Sequence, residues 1–456
     1  MNKEMWNIII RSYEENSWEE HSIGLPDEIY QQLNSELQVN FKVGNLEVKV
    51  ECRPNHTKDT LELSSKLQEY MGLSNNKITN LVIKDNKICI GPVIGIFISN
   101  GQVRKANAQN PNFRWIETMK ANEIANTIVY YFSIKDVDFA CKKILGTYYN
   151  YENMQWERTY FPYPDILYDR GGGTLKSQSL ISDYIRKELE KNKELIKINP
   201  RYFFDKWDVY ERLKEYTNVG EWMPLTILYN KPENLESMLE KSSVVYMKDC
   251  VGNNGVGVAR VVKLSENKYE LSHFFKKLFK YNLNSFDELI KEIENIFQGK
   301  KVIIQSAIDL LQIDGGNVDM RATVQKNSEG KMEATAFPVR IGKAECPITS
   351  TRSGSSVYTL EDFFKKFFNY SDGQINGLKE RLKTFLFSYF KCIENEYGNF
   401  GELGIDFAID KNWRVWFIEC NAKPGKDTVY LSYDNETIKK SFLNPLEYGK
   451  YLWKNS

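Results

Sequence analysis

Two short segments near the carboxyl end set the tightest limits on how this chain can fold. Gly404-Ile405-Asp406-Phe407-Ala408-Ile409-Asp410 and Val415-Trp416-Phe417-Ile418-Glu419-Cys420-Asn421 both alternate apolar and polar side chains, and residues 411–414 separate them. Alternation with period two marks strands with one buried face. A four-residue connection joins such strands into a hairpin. That loop pairs Ile405 with Cys420, Phe407 with Ile418 and Ile409 with Trp416, an apolar face that pins the register. The other face then sets Asp406 opposite Glu419, with Asn421 two residues along. Carboxylates directly opposite one another repel, so this face calls for a cation. Oxygen ligands at this spacing suit Mg²⁺, with nucleotide phosphates completing its shell. A solvated polar face on an ordinary hairpin accounts for the same residues equally well. Lys423-Pro424-Gly425, just beyond, adds a rigid turn and a further positive charge.

Composition removes several function classes. With 456 residues the chain exceeds one core and calls for several domains. Sixty-one basic residues balance 61 acidic ones, so no global attraction to nucleic acid or anionic membranes is expected. Seven scattered cysteines without a CxxC pair read as reduced thiols, neither a disulfide framework nor a zinc site. His21, His56 and His273 are too few and too far apart in sequence for a histidine-rich metal site or a His-based triad. The start, MNKEMWNIII, lacks the apolar stretch and cleavage site of a signal peptide, and the longest apolar run, residues 92–98, is far short of a membrane span. A cytoplasmic protein is the expectation.

Periodicity divides the chain into three. Residues 1–90 read as a β-rich module: hairpins at 37–43 with 46–52 around Gly44-Asn45, and at 81–83 with 88–90 around Asp85-Asn86, with a helix over 60–71 between them. Residues 91–198 alternate strand and helix and imply a small α/β domain. Its expected elements are a buried strand at 91–98, a helix at 115–127, strands at 128–132 and 144–149, and a charged helix at 180–198. Residues 199–456 form the last domain. Its expected elements are helices at 206–216, 286–297 and 377–397, and strands at 244–248, 256–262, 302–305, 320–325 and 334–340, before the closing hairpin.

Further groups in the last domain carry chemistry. Lys248 ends a strand and precedes Gly252, Gly255 and Gly257, whose missing side chains let backbone N–H groups approach a phosphate. This is no Walker A loop, because Val258 and Ala259 stand where Lys and Ser/Thr are needed. Nor is it a dinucleotide fingerprint, since the third glycine is missing and a strand follows. A plain hairpin with a glycine tip remains open. Arg321 in Asp319-Met320-Arg321, Arg340 at a strand end, and Arg352 in a Ser/Thr/Gly loop could each fork onto phosphate or carboxylate, or form a surface ion pair.

The order of these pieces resembles the ATP-grasp superfamily from about residue 199 to 421. Asn199-Pro200 with Phe204-Asp205-Lys206-Trp207, Tyr168-Asp169-Arg170, Asp319-Met320-Arg321 and Gly401-Glu402-Leu403-Gly404-Ile405-Asp406 further resemble the YheC/YheD group of endospore coat-associated ATP-grasp proteins. The resemblance implies an α/β (α+β) ATP-grasp fold of two subdomains clamping ATP, preceded by the small α/β domain and the β-rich module. It implies Lys206 and Lys248 on ATP phosphates, together with the glycine loop. It implies Gln305, Ala307 and Ile308 in a hinge holding adenine through backbone groups, Asp319 on ribose beside Arg321, and Asp406, Glu419 and Asn421 as Mg²⁺ ligands. Arg340, with Lys248, would stabilise a transferred phosphoryl group. The loop after Arg340 departs from the pattern of ligases that modify peptide termini: Ser350, Ser355 and Ser356 stand where Asn and paired Gly are usual. The implied activity is a Mg²⁺-dependent ligase joining a carboxylate to an amine through an acylphosphate, on a peptide or protein of a spore coat. The alternative is an ATP-binding structural coat protein without turnover. Expected partners are ATP and the carboxylate and amine substrates, with no nucleic acid and no membrane.

Overall fold

The computed structural model describes residues 4–13, 21–33, 38–173, 176–252 and 255–456. Leu37, expected in a strand, and Asn253-Asn254 of the glycine loop lie outside the described residues. The chain divides into two compact units: Met1–Tyr202 with Lys326–Lys331 and Phe442–Ser456, and Phe203–Gln325 with Met332–Ser441.

In the first unit, among the described residues, seven strands between Trp6 and Gly91 close into a barrel. Closure removes the exposed strand edges that an open β module would present. Ile8, Ile10, Val39, Phe41 and Val43 are buried in its core at alternate positions. Both expected hairpins form, with Val43 opposite Leu46 and Ile83 opposite Ile88. Gly44, Asp85 and Asn86 take the positive φ that such tight turns require. The helix expected over 60–71 starts only at Ser65. Thr60–Ser64 is a strand, parallel to Trp6–Tyr13, with Leu61 and Leu63 buried at period two. Ser64 ends it and caps the helix Ser65–Met71, accepting from the Leu67 N–H.

The same unit contains a mixed sheet. Val93–Phe97 runs parallel to Ile128–Phe132 and to Ile166–Asp169. Parallel neighbours need a crossover, which the helices Asn100–Asn107 and Phe113–Ala125 supply between the first two. Lys143–Asn150 pairs with Gln155–Pro162, a strand the sequence reading missed. The helix expected over 180–198 covers only Ser179–Leu189, and Ile196–Lys197 is a strand. Residues 191–194, Lys-Asn-Lys-Glu, offer nothing apolar to extend the stripe of Ser182, Ile185 and Leu189.

The second unit is built on two sheets. One runs in the order Thr226–Tyr229, Val302–Ser306, Val244–Asp249, Val258–Ser265, Lys268–Phe275, Lys277–Leu283, with the helices Pro232–Lys241 and Phe286–Phe297 packed on it. The other sets Gly316–Lys326 between Val339–Ile341 and the hairpin Glu402–Ile409/Val415–Asn421. The strand expected over 334–340 is broken at Phe337-Pro338 into Met332–Ala336 and Val339–Ile341, because proline has no N–H for the ladder. The helix Asp372–Tyr397 starts in a capping box of Ser371 and Gln374. Its buried stripe includes Leu378, Leu382, Phe385 and Tyr389. Phe385 meets Phe407 with ring centroids 5.8 Å apart, and Tyr389 stacks on Phe417 at 4.4 Å. These contacts brace the apolar back of the hairpin whose other face carries Asp406. Phe385→Ala should therefore lower stability in denaturant unfolding by about 3–5 kcal/mol. Truncating the 86% exposed Leu180 to Ala should change it by less than about 0.5 kcal/mol.

Candidate active site

The hairpin reaches the expected acid pairing by another route. The Asp410 N–H donates to Arg414 O at 3.0 Å, so the loop is only Lys411, Asn412 and Trp413. The Trp413 N–H closes the turn on Asp410 O at 2.9 Å, with Trp413 at φ 63°. Three-residue hairpin loops use such a left-handed third residue. The shorter loop sets Ile409 opposite Val415 and Phe407 opposite Phe417, not opposite Trp416 and Ile418. A bulge at Ile418 then restores the register, so Asp406 faces Glu419 and Ile405 faces Cys420. The extra residue lets two consecutive side chains, Ile418 and Glu419, line one cleft.

The expected repulsion between Asp406 and Glu419 is offset by protein cations. Arg321, directly across from Asp406 in the neighbouring strand, forks onto it with Nε–Oδ1 2.5 Å and Nη2–Oδ2 2.6 Å. Its Nη2 also lies 4.0 Å from Glu419 Oε1. Arg340, directly across from Asp319, forks onto that residue with both contacts at 2.6 Å and reaches Asp406 Oδ2 at 3.3 Å. Thr349 Oγ1 also donates to Asp319. Asp319, Arg340, Asp406, Arg321 and Glu419 thus alternate in sign across four strands. Burial would raise the Asp406 carboxyl, but Arg321 and Arg340 outweigh it and hold it below the usual range. At Asp319 burial wins over Arg340 and the carboxyl is raised. Both guanidinium groups gain more from these carboxylates than burial takes away, so their values are raised.

The opposite wall belongs to the other sheet. Lys248 Nζ donates to Gln305 Oε1 at 2.6 Å, and Gln305 Nε2 donates to Thr226 Oγ1 at 3.0 Å. Burial pushes Lys248 down to about 8, with Glu419 opposing. Lys206, at the start of the helix Lys206–Leu213, reaches Glu419 Oε2 at 3.5 Å and donates to the Gly252 carbonyl. Gly252 and Gly255 line the cleft. Gly257, at φ +73°, does not; a Cβ there would lie 2.8 Å from that of Asp249. In the expected adenine hinge, the Ala307 N–H is committed to Val244 O at 3.1 Å, and Ile308 alone of the two lines the cleft. Asp319, expected on ribose, has both carboxylate oxygens engaged by Arg340 and Thr349.

The cleft therefore gathers Lys206, Lys248, Gly252, Gly255, Gln305, Ile308, Asp319, Arg321, Arg340, Asp406 and Glu419. Gly257, Ala307 and Asn421 are outside its lining, although Asn421 Nδ2 approaches Glu419 Oε1 at 3.4 Å. Lys426, not Lys423, supplies the cation after the hairpin. It is paired with the fully buried Glu402 at 2.9 Å and sits at φ 61°. Arg352 is exposed and does not line the cleft. Ile418, Thr349 and Lys426 were missed by sequence reasoning; a bulge and a left-handed lysine leave no trace in residue pattern. The donor chemistry fits a hard divalent cation at Asp406 and Glu419, and the lysines with the apolar Ile308, Leu310 and Ile418 fit a phosphate-bearing ligand with a flat apolar end. Metal at Asp406 requires Arg321 to yield part of its fork.

Two sheets facing a cleft of lysines, arginines and paired acids make up an ATP-grasp domain. The profile of the family described as YheC/D like ATP-grasp matches residues 194–452, and the chain belongs to that family. It is 24% identical over 404 residues to the endospore coat-associated protein YheD of Bacillus subtilis (strain 168), covering 87% of this chain and 86% of that protein. It is 24% identical over 315 residues to YheC of the same organism, covering 68% and 84%. Among solved structures, D-cycloserine synthetase DcsG aligns at 9% identity and a TM-score of 0.47, covering 79% of this chain and 99% of that one. The D-alanyl-alanine synthetase A of Vibrio cholerae O1 aligns at 12% and 0.43, covering 78% and 98%. Among the described residues, no helix is long and apolar enough to cross a membrane.

The Lys248 shift has a stability signature. Its value falls from 10.5 to about 8 on folding, so the unfolded chain binds more protons between those limits. Stability then rises as pH rises through that window. Lys248→Met should remove this rise and stabilise the protein at pH 7, as read by denaturant midpoints at a series of pH values.

Proposed function

We propose that the chain is an ATP- and Mg²⁺-dependent ligase that joins a carboxylate to an amine. The observation that carries this reading is the row of alternating charges facing Lys206 and Lys248 across one cleft. ATP supplies the phosphoryl group, and Mg²⁺ held at Asp406 and Glu419, with Asn421 beside them, supplies charge neutralisation. Lys206 and Lys248 hold phosphate oxygens, and Gly252 and Gly255 let the backbone approach them. Ile308 and Ile418 bound the base. Arg340 spends its Nε and Nη2 on Asp319, which aims the rest of the guanidinium at the transferring group. Asp319 is thereby a positioning residue, and Thr349 steadies it.

The substrate carboxylate oxygen takes the terminal phosphoryl of ATP, giving an acylphosphate and ADP. An amine then attacks the acyl carbon, phosphate leaves, and the amine's proton passes to solvent. Positioning and fixed charges supply most of the acceleration. No side-chain nucleophile is required. The names of its relatives extend the reading to a peptide or protein of an endospore coat as substrate.

The fork of Arg321 on Asp406 favours one rival: an ATP-binding coat protein whose metal carboxylate stays closed. Phosphate release from ATP and Mg²⁺, measured across a panel of amino acid and peptide acceptor pairs, separates the two. The ligase reading expects release only with a matching pair, and a loss of at least about a hundredfold in Lys248→Ala and Glu419→Gln. Unchanged turnover in those variants would sink the site assignment, and nucleotide binding without turnover on any pair would favour the rival.

A further inference from the structure

The first unit holds a cavity of its own, of about 260 Å³. It lies among the barrel strand Ile78–Lys84, the helix Phe113–Ala125 and the strand Lys143–Asn150. One wall is aromatic: Tyr131, Tyr149, Tyr151 and Trp156 all line it. Trp115 stacks behind Tyr131 with ring centroids 3.7 Å apart and meets Trp156 edge-on at 5.1 Å. Tyr149 meets Trp156 at 5.3 Å and Tyr151 at 5.1 Å, both edge-on. Rings locked against one another in this way form a stiff wall, ready to receive a flat or branched apolar group without rearrangement.

Lys77 brings a positive charge to this aromatic wall. Its ammonium is 5.2 Å from the centre of the Tyr151 ring. Among the described residues no carboxylate forms an ion pair with it. Glu123 lines the same cavity from the helix and attracts Lys77 across the gap without closing an ion pair. Burial pushes the ammonium down to about 8. A face-on ring compensates an enclosed ammonium only in part, and an enclosed cation without a counter-ion is destabilising. The Tyr131 hydroxyl is likewise buried, with Thr118 beside it and no hydrogen bond of normal geometry. Of the exposed residues that line the cavity, Ile78 is apolar and 44% exposed, while Asn75, Asn76, Glu123 and Glu152 are polar.

We infer that this cavity binds an apolar residue carrying a free α-carboxylate, the carboxyl-terminal residue of a peptide, with its carboxylate on Lys77 and its side chain among Tyr131, Tyr149 and Trp156. Ile78, exposed at the mouth, favours a peptide over a free amino acid, because the preceding residue then covers it. Glu123 is placed to accept from an N–H of the bound residue. This site does not depend on the ligase reading of the second unit.

Trp115 and Trp156 make the test optical. The full chain is titrated, by intrinsic fluorescence, with a short peptide ending in phenylalanine, with the same peptide as its carboxyl amide, and with free phenylalanine. The acid peptide should saturate and bind at least about tenfold more tightly than the amide. Lys77→Met should bring the acid peptide down to the level of the amide while the thermal transition is kept. Should that variant fail to fold, the acid-to-amide ratio on the unaltered chain decides alone. Equal binding of acid and amide, or no saturation by either up to about 10 mM, would overturn the proposal. Free phenylalanine binding as tightly as the acid peptide would overturn the assignment to a peptide and leave a free amino acid as the ligand.

Discussion

The fork of Arg321 on Asp406 is the contact on which the acid-bearing sheet of the second unit depends. Asp406 and Asp319 sit in strands with apolar faces behind them and would carry buried charge alone. Uncompensated, each would cost several kcal/mol. Cross-strand register solves this, since Asp319 lies opposite Arg340 and Arg321 opposite Asp406. A slip of one residue in either pairing would send the arginine to the wrong face and strand both acids. The charge row therefore selects one register as firmly as the apolar face behind it does. It also leaves the arginine forks aimed before any ligand arrives, which is what electrostatic preorganisation requires.

The same row changes the meaning of the acid pair. Opposed carboxylates alone call for an external cation; with Arg321 between them they are already balanced. A metal held as proposed would compete with Arg321 for Asp406, while Glu419 has longer contacts with Arg321, Lys206 and Asn421. Glu419 is the more accessible of the two, with 21% of its side chain exposed against 6% for Asp406. A divalent ion held as proposed would meet Glu419 first, and the fork of Arg321 would set how readily Asp406 joins.

The acid pair was legible in the sequence, but through two errors that cancel. A four-residue loop without a bulge and a three-residue loop with one bulge both place Asp406 opposite Glu419. They differ at Phe407, Ala408 and Ile409. Alternation reads faces well and counts of loop residues poorly, since a left-handed Trp413 is not announced by its type. Long periodic elements were legible for the same reason: Phe286–Phe297 and Ile128–Phe132 fell where their apolar spacing puts them. Barrel closure was not, because it depends on the parallel pairing of Trp6–Tyr13 with Thr60–Ser64, a long-range contact with no local signature. The family resemblance implied roles for Asp319 and Ala307. Their existing partners could be seen only in three dimensions.

Lys426 shows what residue pattern conceals. A lysine at positive φ is disfavoured by roughly 1 kcal/mol or more, and its ammonium is almost wholly buried against Glu402. Glu402 stands in the same strand as Asp406, four residues earlier and therefore on the same face. Gln325 donates to Glu402 at 3.0 Å and to Ser441 O at 2.7 Å, so Glu402 is tied through the neighbouring strand to the helix Asn435–Asn455. The ion pair thus holds the chain after the hairpin in a strained turn at the cleft wall. One strand sets both features: Asp406 fixes the arginines, and Glu402 fixes the segment that follows Asn421. Both acids of that strand are thus committed to protein cations.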